Sequence, residues 1–462
     1  MTATPQPTPL SFHGALAGIL APLALFLAGV AWLGLSGAPD ERGFWPVLVA
    51  ALALGLVLAR DRHAYCETLL AGMSRPLVML MIMAWLLAGV LATLMRASGF
   101  VEALVWLART AGLSGWGFVA AAFLICCAVS TSTGTSLGTL ILATPLLYPA
   151  GVALAANPPV LLGAILGGAT FGDNVSPVSD TTIASAATQR ADLGGVVLSR
   201  LRYALPAAAL ALAAYAALGS APAAVDVAPP AAVDGDPRGL PMLLVPALVV
   251  VLLLRRRHLL EGLFFGVLAA AVLGLALGLI APAAILAIDA EGFTARGLVV
   301  DGIERGIGIS VFTLLLMGLV AAVEATGLLE RVVAAAERRG ATARGAELRI
   351  FAATSAAVVL TTHSVVAILT VGELARRTGE RFGIGAYRRA NLLDVTVCTY
   401  PFLLPFCIPT ILASSLSASP RLSAFQAGLW NFHSWALLAV IVAAIVTGWG
   451  RDGTKMAEGS SL

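Results

Sequence analysis

Residues 161–190 read LLGAILGGATFGDNVSPVSDTTIASAATQR, and this stretch decides the fold. An apolar run leads into Gly172-Asp173-Asn174-Val175-Ser176-Pro177-Val178-Ser179-Asp180-Thr181-Thr182, and an apolar run resumes after it. Pro177 lacks an N–H and pushes the residue before it toward extended backbone, so a helix breaks there. The break frees peptide carbonyls and sets two carboxylates and several hydroxyls in the middle of an apolar segment. Such groups are expensive inside a bilayer and mark ion or proton pathways. A loop outside the membrane would not carry apolar flanks on both sides. The stretch therefore reads as a broken helix crossing a membrane, over about 158–189.

The rest of the chain fits that setting. Its 462 residues are 59% hydrophobic and only 11% charged, with a mean hydropathy of +0.94. A soluble chain carries about a quarter charged residues, so a soluble multi-domain enzyme is excluded. Lys455 is the single lysine, and the net charge of +3 has none of the clustering that nucleic acid requires. There is no Walker A pattern to drive transport by ATP, and no nucleophile–base or metal-ligand set that would make an enzyme. Cys66, Cys126, Cys127, Cys398 and Cys407 form no CxxC pair and read as free thiols. The N-terminus, MTATPQPTPLSFHG, lacks the positive region of a cleavable signal, so the first apolar stretch is expected to be a retained span.

A spanning helix needs about 20 apolar residues. Continuous runs occupy about 14–36, 43–59, 76–96, 196–219, 239–255, 258–288, 307–326 and 429–449, and their Ala- and Leu-rich composition favours helices over strands. Four further apolar stretches are interrupted by polar residues, at about 114–150, 158–189, 347–373 and 386–414. Arginine marks cytoplasmic loops. Arg60, Arg62 and Arg75, then Arg190, Arg200 and Arg202, Arg255–Arg257, Arg338–Arg349, Arg376–Arg389 and Arg451 fall on one side if 114–150 and 347–373 are re-entrant hairpins and the other two interrupted stretches cross as broken helices. That arrangement is an all-α polytopic membrane protein of about ten transmembrane helices plus two hairpins, with both termini cytoplasmic. The stretch 114–150 is also long enough for two full spans, which would leave the downstream orientation unchanged.

The halves resemble each other. LLAGVLATLMRASGFVEALVWLARTAG in the first and LLLMGLVAAVEATGLLERVVAAAERRG in the second each run from a span through a glycine, Gly99 or Gly327, into an amphipathic segment. A hydroxyl-rich interruption starts 31 residues past Gly99, at Ser130, and 34 past Gly327, at Thr361. An acidic residue in a broken stretch follows, Asp173 and Asp394. Residues 1–219 and 239–450 are thus expected to be repeats of five crossings each, hence of inverted topology, joined by a linker at 220–238 and followed by a cytoplasmic tail at 451–462. Inverted repeats with broken helices meeting near the bilayer midplane are a signature of secondary transporters.

Four polar clusters are the candidate sites. Ser130, Thr131, Ser132, Thr133, Thr135 and Ser136, with Gly134, form a hairpin tip whose hydroxyls suit a small cation; the alternative is packing between helices. The break supplies Asp173, Asn174, Ser176, Ser179, Asp180, Thr181 and Thr182. Thr361, Thr362, His363 and Ser364 match the first tip in repeat position, and an imidazole titrates near neutral pH; the alternative for His363 is a hydrogen-bonded structural role. Asp394, Thr396, Thr399 and Tyr400 lie in the fourth cluster, where Asp394 is either the repeat partner of Asp173 or an interfacial residue paired with Arg388 or Arg389. Glu324, at a span end, is expected to be solvated or to meet an arginine. The segments around 99–111 and 328–345 are expected to lie at the interface.

With those residues in view, the chain resembles the NhaC-type sodium/proton antiporter family. The resemblance rests on Gly168-Ala169-Thr170-Phe171-Gly172-Asp173-Asn174-Val175-Ser176-Pro177-Val178-Ser179-Asp180-Thr181-Thr182, similar to that family's GAxFGDxxSPxSDTT signature, and on the Ser130–Ser136 tip. It implies the fold of the ion transporter superfamily: a homodimer with scaffold and transport domains that works as an elevator in a bacterial-type inner membrane. It also implies exchange of Na+ for H+, while relatives of that kind carry small organic anions or amino acids. No cofactor is expected; Na+ and H+ are the transported ions. Sodium is expected on Ser132, Asp173, Asn174 and Asp180, with Asp173 or Asp180 alternating between cation and proton. Burial favours a protonated carboxyl and a bound cation favours the carboxylate, so the two compete. The other expectation is a Na+- or H+-coupled carrier of a small organic solute.

Overall fold

The computed structural model describes residues 9–36, 41–220, 235–289, 294–337, 342–417 and 419–451. Most of the expected linker, from 221 to 234, and the expected tail beyond 451 lie outside them. The chain is an all-α polytopic membrane protein. Among the described residues, nine helices are long and apolar enough to cross a membrane.

The first half runs α1 (Leu16–Leu35), α2 (Phe44–Leu58), α3 (Arg62–Met73), α4 (Pro76–Ala97), α5 (Phe100–Thr110), α6 (Trp116–Thr133), α7 (Ser136–Ala153), α8 (Pro158–Val175), α9 (Asp180–Gln189) and α10 (Leu193–Leu218). The second runs α11 (Leu244–Leu254), α12 (Leu259–Ala276), the single turn α13 (Pro282–Ile285), α14 (Leu298–Glu324), α15 (Leu328–Glu337), α16 (Ala343–Thr361), α17 (Ser364–Arg381), α18 (Ala386–Val397), α19 (Ile408–Leu416), α20 (Ala424–Leu429) and α21 (Phe432–Thr447).

Every apolar run marked as a continuous span contains a helix, with two adjustments. The run 258–288 stops being helical at Ala276; α13 and a small hairpin of Ala287–Asp289 with Thr294–Arg296 follow. Conversely, α14 begins at Leu298 rather than near 307, because its first turns carry Asp301, Glu304 and Arg305 and so escape an apolar window. The sequence reading also passed over α3. Asp61 caps it by accepting the Ala64 N–H at 2.9 Å, and its Tyr65 hydroxyl donates to the Leu52 carbonyl at 3.0 Å.

One order of elements occurs twice. A long helix (α4, α14) ends at a left-handed glycine, Gly99 at φ +75° or Gly327 at φ +68°. An amphipathic helix (α5, α15), a pair of tightly linked helices (α6–α7, α16–α17) and a broken helix (α8–α9, α18–α19) follow. The segment expected to lie at the interface, α5, buries one face through Phe100, Val101, Ala103, Val105 and Ala108; residues 338–341 of its counterpart lie outside the described residues.

The apolar core has two main bodies. The larger joins α4, α6, α7, α8, α14 and α19; the smaller joins α16, α17, α18 and α21 with Ala184 of α9 and Ala207 of α10. Outward faces of α1, α10 and α12 carry exposed apolar residues such as Trp32, Leu205 and Phe264, the pattern a lipid solvent selects. Helices α6 and α8 approach most closely where two glycines spaced four apart face α6. A Cβ on Gly168 would meet the Phe123 carbonyl and Cys126, and one on Gly172 would meet the Thr131 amide and Ser130. Small residues at such spacing let helix backbones touch.

Candidate ion and substrate site

Both linked pairs turn by the same device. Helix α6 ends where Gly134 enters the left-handed region at φ +70°; Thr135 is then extended and caps α7, accepting the Gly138 N–H at 3.1 Å. Helix α16 ends where Thr362 enters the same region at φ +51°, and an extended His363 precedes α17. At Gly134 the glycine is also required by space, since a Cβ would lie 2.7 Å from the Val178 side chain in the break. The first tip therefore sits directly on the break. In α8 and α9 the helix stops at Val175 and restarts at Asp180, with Pro177 between, as its chemistry dictates.

A cavity of about 510 Å³ gathers these elements. The first tip contributes Thr135 and Ser136, the break Asp173, Asp180 and Thr181, and the second tip Thr362, His363 and Ser364. Pro401, Phe402, Ile408 and Pro409 line it from the second break, and Leu77 and Met81 from α4. Three of the four predicted clusters thus meet in one cavity; the fourth contributes its backbone break but none of its predicted side chains.

Asp173 is the anchor. Its Oδ2 accepts from Ser136 Oγ at 2.8 Å and its Oδ1 from Ser179 Oγ at 2.6 Å, so the tip and the break hold one carboxylate between them. Ser179 also meets Thr181 Oγ1 at 3.0 Å, and Thr181 Oγ1 reaches Asp394 Oδ1 at 3.4 Å. Each hydroxyl has one proton to give. With the Ser179 proton on Asp173, the Thr181 proton points either to Ser179 or to Asp394. Two hydroxyls thus bridge the two carboxylates. Asp180 is exposed to the cavity at the N-terminus of α9.

Asp394 is fully buried and pairs with Arg200 of α10, not with Arg388 or Arg389. Arg200 Nη1 lies 2.7 Å from Asp394 Oδ2, with both side chains wholly enclosed. Asp394 also accepts from Ser185 Oγ at 3.1 Å, Asn174 Nδ2 at 3.3 Å and Cys398 Sγ at 3.4 Å. Arg200 further donates to the Asn174 carbonyl at 2.6 Å, Thr182 Oγ1 at 2.8 Å, Asn391 Oδ1 at 3.0 Å and Ser185 Oγ at 3.2 Å. Residues 388 and 389 precede Asp394 by six and five positions, about 240° and 140° around a helix, so they face elsewhere. Arg388 chelates the buried Glu347 at 3.0 and 3.1 Å, where Arg451 joins at 2.7 Å. Arg389 donates to Gln189 Oε1 at 3.0 Å.

Other predicted residues are structural or lie apart. Ser130 donates to the Ala169 carbonyl at 2.7 Å, tying α6 to α8. Thr133, Thr396 and Thr399 bond back to their own turns. Ser176 accepts from the Val178 N–H inside the break. Thr131 is half-buried and Ser132 exposed, and neither is among the residues that line the cavity. Tyr400 packs against Phe351 rather than lining the cavity. Thr361 closes its own turn onto the His363 backbone, and Ser364 donates to the Val397 carbonyl at 3.2 Å, joining the second tip to α18. Three buried polar atoms here have no hydrogen-bond partner among the described residues: Asn174 Oδ1, Thr362 Oγ1 and His363 Nδ1. Glu324 meets its expected arginine, Arg75, at 2.5 Å.

Sequence reasoning missed Arg200 and Ser185 as site residues. The signal for Arg200 was present: Val196, Arg200, Tyr203, Ala204, Ala207 and Ala211 share one face of α10 at helical spacing, and all are buried.

Residues 42–220, which hold the first tip, the break and Arg200, match the model of the Na+/H+ antiporter family. The chain is 27% identical over 206 residues to a malate-2H+/Na+-lactate antiporter of Bacillus subtilis, covering 43% of this chain and 41% of that one. It is 35% identical over 96 residues to the Na+/H+ antiporter NhaC of Alkalihalophilus pseudofirmus, 21% of each chain. An uncharacterized Na+/H+ antiporter of Haemophilus influenzae is 27% identical over 178 residues, 37% of each. The matches thus span about two fifths or less of these relatives' lengths. These relatives are named as antiporters, and the stretch 42–220, which contains the acidic break, is where the chain resembles the Na+/H+ antiporter family.

Proposed function

We propose that the chain exchanges Na+, or Li+, for H+ across a bacterial inner membrane by alternating access. One observation carries the reading. The Asp173 carboxylate faces a cavity shared by both tips and both breaks, and two hydroxyls from separate elements hold it there. A cation and a proton compete for such a group, which is the requirement for coupled exchange. Asp180, exposed in the same cavity, is the second carboxylate available to the ion. Na+ and H+ are cargo; no cofactor takes part.

In this reading residues 1–219 and 239–450 are inverted repeats whose paired helices, α6–α7 and α16–α17, enter from opposite faces and meet at their tips. The doubled order of elements supports it. A moving body holding the tips and breaks would slide against a scaffold in an elevator motion, within a homodimer, as the family resemblance implies. Both termini would be cytoplasmic, in keeping with the arginine distribution.

The test is sodium-driven proton flux in proteoliposomes without organic solute, read with a pH-sensitive dye and repeated with lithium and potassium. Sodium or lithium should collapse the pH gradient and potassium should not, and Asp173→Asn and Asp180→Asn should each lose exchange. Full exchange in both variants would overturn the assignment.

A second reading draws on the size of the cavity. At about 510 Å³ it exceeds what a sodium ion needs and falls within the range of small-molecule sites. A coupled carrier of a small organic acid would use that space, with Thr362, His363 and Ser364 as contacts. Sodium-dependent thermal stabilisation by dicarboxylates or amino acids, with no sodium-only flux, would favour it.

A further inference from the structure

Asp173 and Asp394 occupy matching places in the two halves, yet their surroundings differ in kind. Asp173 accepts from hydroxyls alone and opens to the cavity. Asp394 is sealed, and its neighbours are donors: the Arg200 guanidinium, the Ser185 and Thr181 hydroxyls, the Asn174 amide and the Cys398 thiol. Arg200 in turn is enclosed by acceptors from the break (the Asn174 carbonyl, Thr182 and Ser185) and from α18 (Asn391 and Asp394). A carboxylate accepts through about four lone-pair sites, and here they are taken. A buried charge that lost its partner would be strongly disfavoured.

We infer that Arg200 is a tethered cation that permanently fills the second-half ion position, leaving the protein one exchangeable cation site, at Asp173. The guanidinium stands where the repeat would otherwise place a second sodium ion. It neutralises Asp394 at every stage of the cycle, and it bolts the α8–α9 break to α18. Arg200 thus acts through Asp394 as a positioning residue and sets the number of ions carried. The inference rests on the reading of Asp173 as the exchanging carboxylate.

The experiment is calorimetric titration of sodium into purified, detergent-solubilised protein at alkaline pH, counting sites and protons released for each sodium bound. Wild type should show one site, lost in Asp173→Asn. Arg200→Gln frees Asp394 and should show two sites, the added one removed by Asp394→Asn in the same chain, while Arg200→Lys keeps a tethered cation and should stay at one. The same site count in Arg200→Gln as in wild type would overturn the inference. If wild type binds no sodium but Arg200→Gln gains a site that Asp394→Asn removes, the role of Arg200 stands and the reading of Asp173 falls. If Arg200→Gln alone does not fold, the wild-type site count decides: one sodium site, lost in Asp173→Asn, is expected, and two sodium sites in wild type would overturn the inference.

Discussion

A single methyl group at Gly172 should uncouple the site without touching any polar side chain. Helices α6 and α8 meet so closely there that an alanine Cβ would run into the Thr131 amide nitrogen and the Ser130 carbonyl carbon. Both obstacles are backbone, so no side chain can swing aside and the helices must part. Comfortable heavy-atom contacts lie at about 3.5–4.0 Å, so the displacement is on the order of 1 Å. Asp173 is the next residue, and its bond to Ser136 is 2.8 Å long; a shift of that size takes it out of hydrogen-bond range. A hydrogen bond to a charged group is worth about 1.5–3 kcal/mol, and overpacking a tight interface costs about 1–3 kcal/mol of stability. Misplacing a reacting group by about 1 Å costs on the order of 100-fold in rate. Gly172→Ala should therefore lower sodium-driven proton flux in proteoliposomes by roughly 10- to 100-fold and lower the melting temperature modestly. Gly117→Ala is the control: it lies in α6, the partner helix, but its nearest neighbour, Leu113 Cδ2, is at an ordinary 3.6 Å. Wild-type flux and melting in Gly172→Ala would refute the packing argument and the role of the Ser136–Asp173 bond together.

Other outcomes follow from the same geometry. Glu347→Gln strands Arg388 and Arg451, and breaking a buried pair costs about 3–5 kcal/mol, so its melting temperature should fall clearly. Arg451→Ala should cost less, because Arg451 is 26% exposed. His363→Gln should retain exchange with sodium half-saturation changed by about tenfold or less, about 1.4 kcal/mol, since the imidazole lines the cavity without a hydrogen bond to Asp173 or Asp180; abolished exchange would put His363 on the proton path. Among the five cysteines only Cys66 is exposed, so a membrane-impermeant maleimide should label it alone, and only in inside-out vesicles if α3 is cytoplasmic. Labelling from the opposite side would invert the proposed topology.

The break and the two tips were legible because proline, aspartate and hydroxyl runs stand out in apolar sequence. What a run does was less legible. In Ser130–Ser136 successive residues point about 100° apart around α6, so Ser130 enters the α8 interface while Ser132 faces outward. Only after Gly134 reverses the chain does Ser136 reach Asp173. Counting hydroxyls made them look equivalent, and the helix makes them opposites. Arg200 was hidden for another reason. Arginines near span ends report topology, and Arg200 follows Arg190 by ten residues, so it was read with the loop. Its helix begins at Leu193, two turns earlier, which carries the guanidinium to the buried break. Its partner Asp394 was legible as a charge in a broken stretch, but the identity of the partner depends on a contact between α10 and α18, 194 residues apart, that no local pattern encodes.

Thr362 makes the turn that Gly134 makes in the first pair, and it does so with a branched side chain at φ +51°. A left-handed conformation costs a non-glycine residue about 1–2 kcal/mol, which a glycine would avoid. The hydroxyl this buys lies on the cavity wall with no partner among the described residues. An engineer seeking a sturdier protein for crystallisation would choose Thr362→Gly first, and the gain in robustness would remove a polar atom from the chamber the cargo enters. Durability and recognition are set against each other at that one residue.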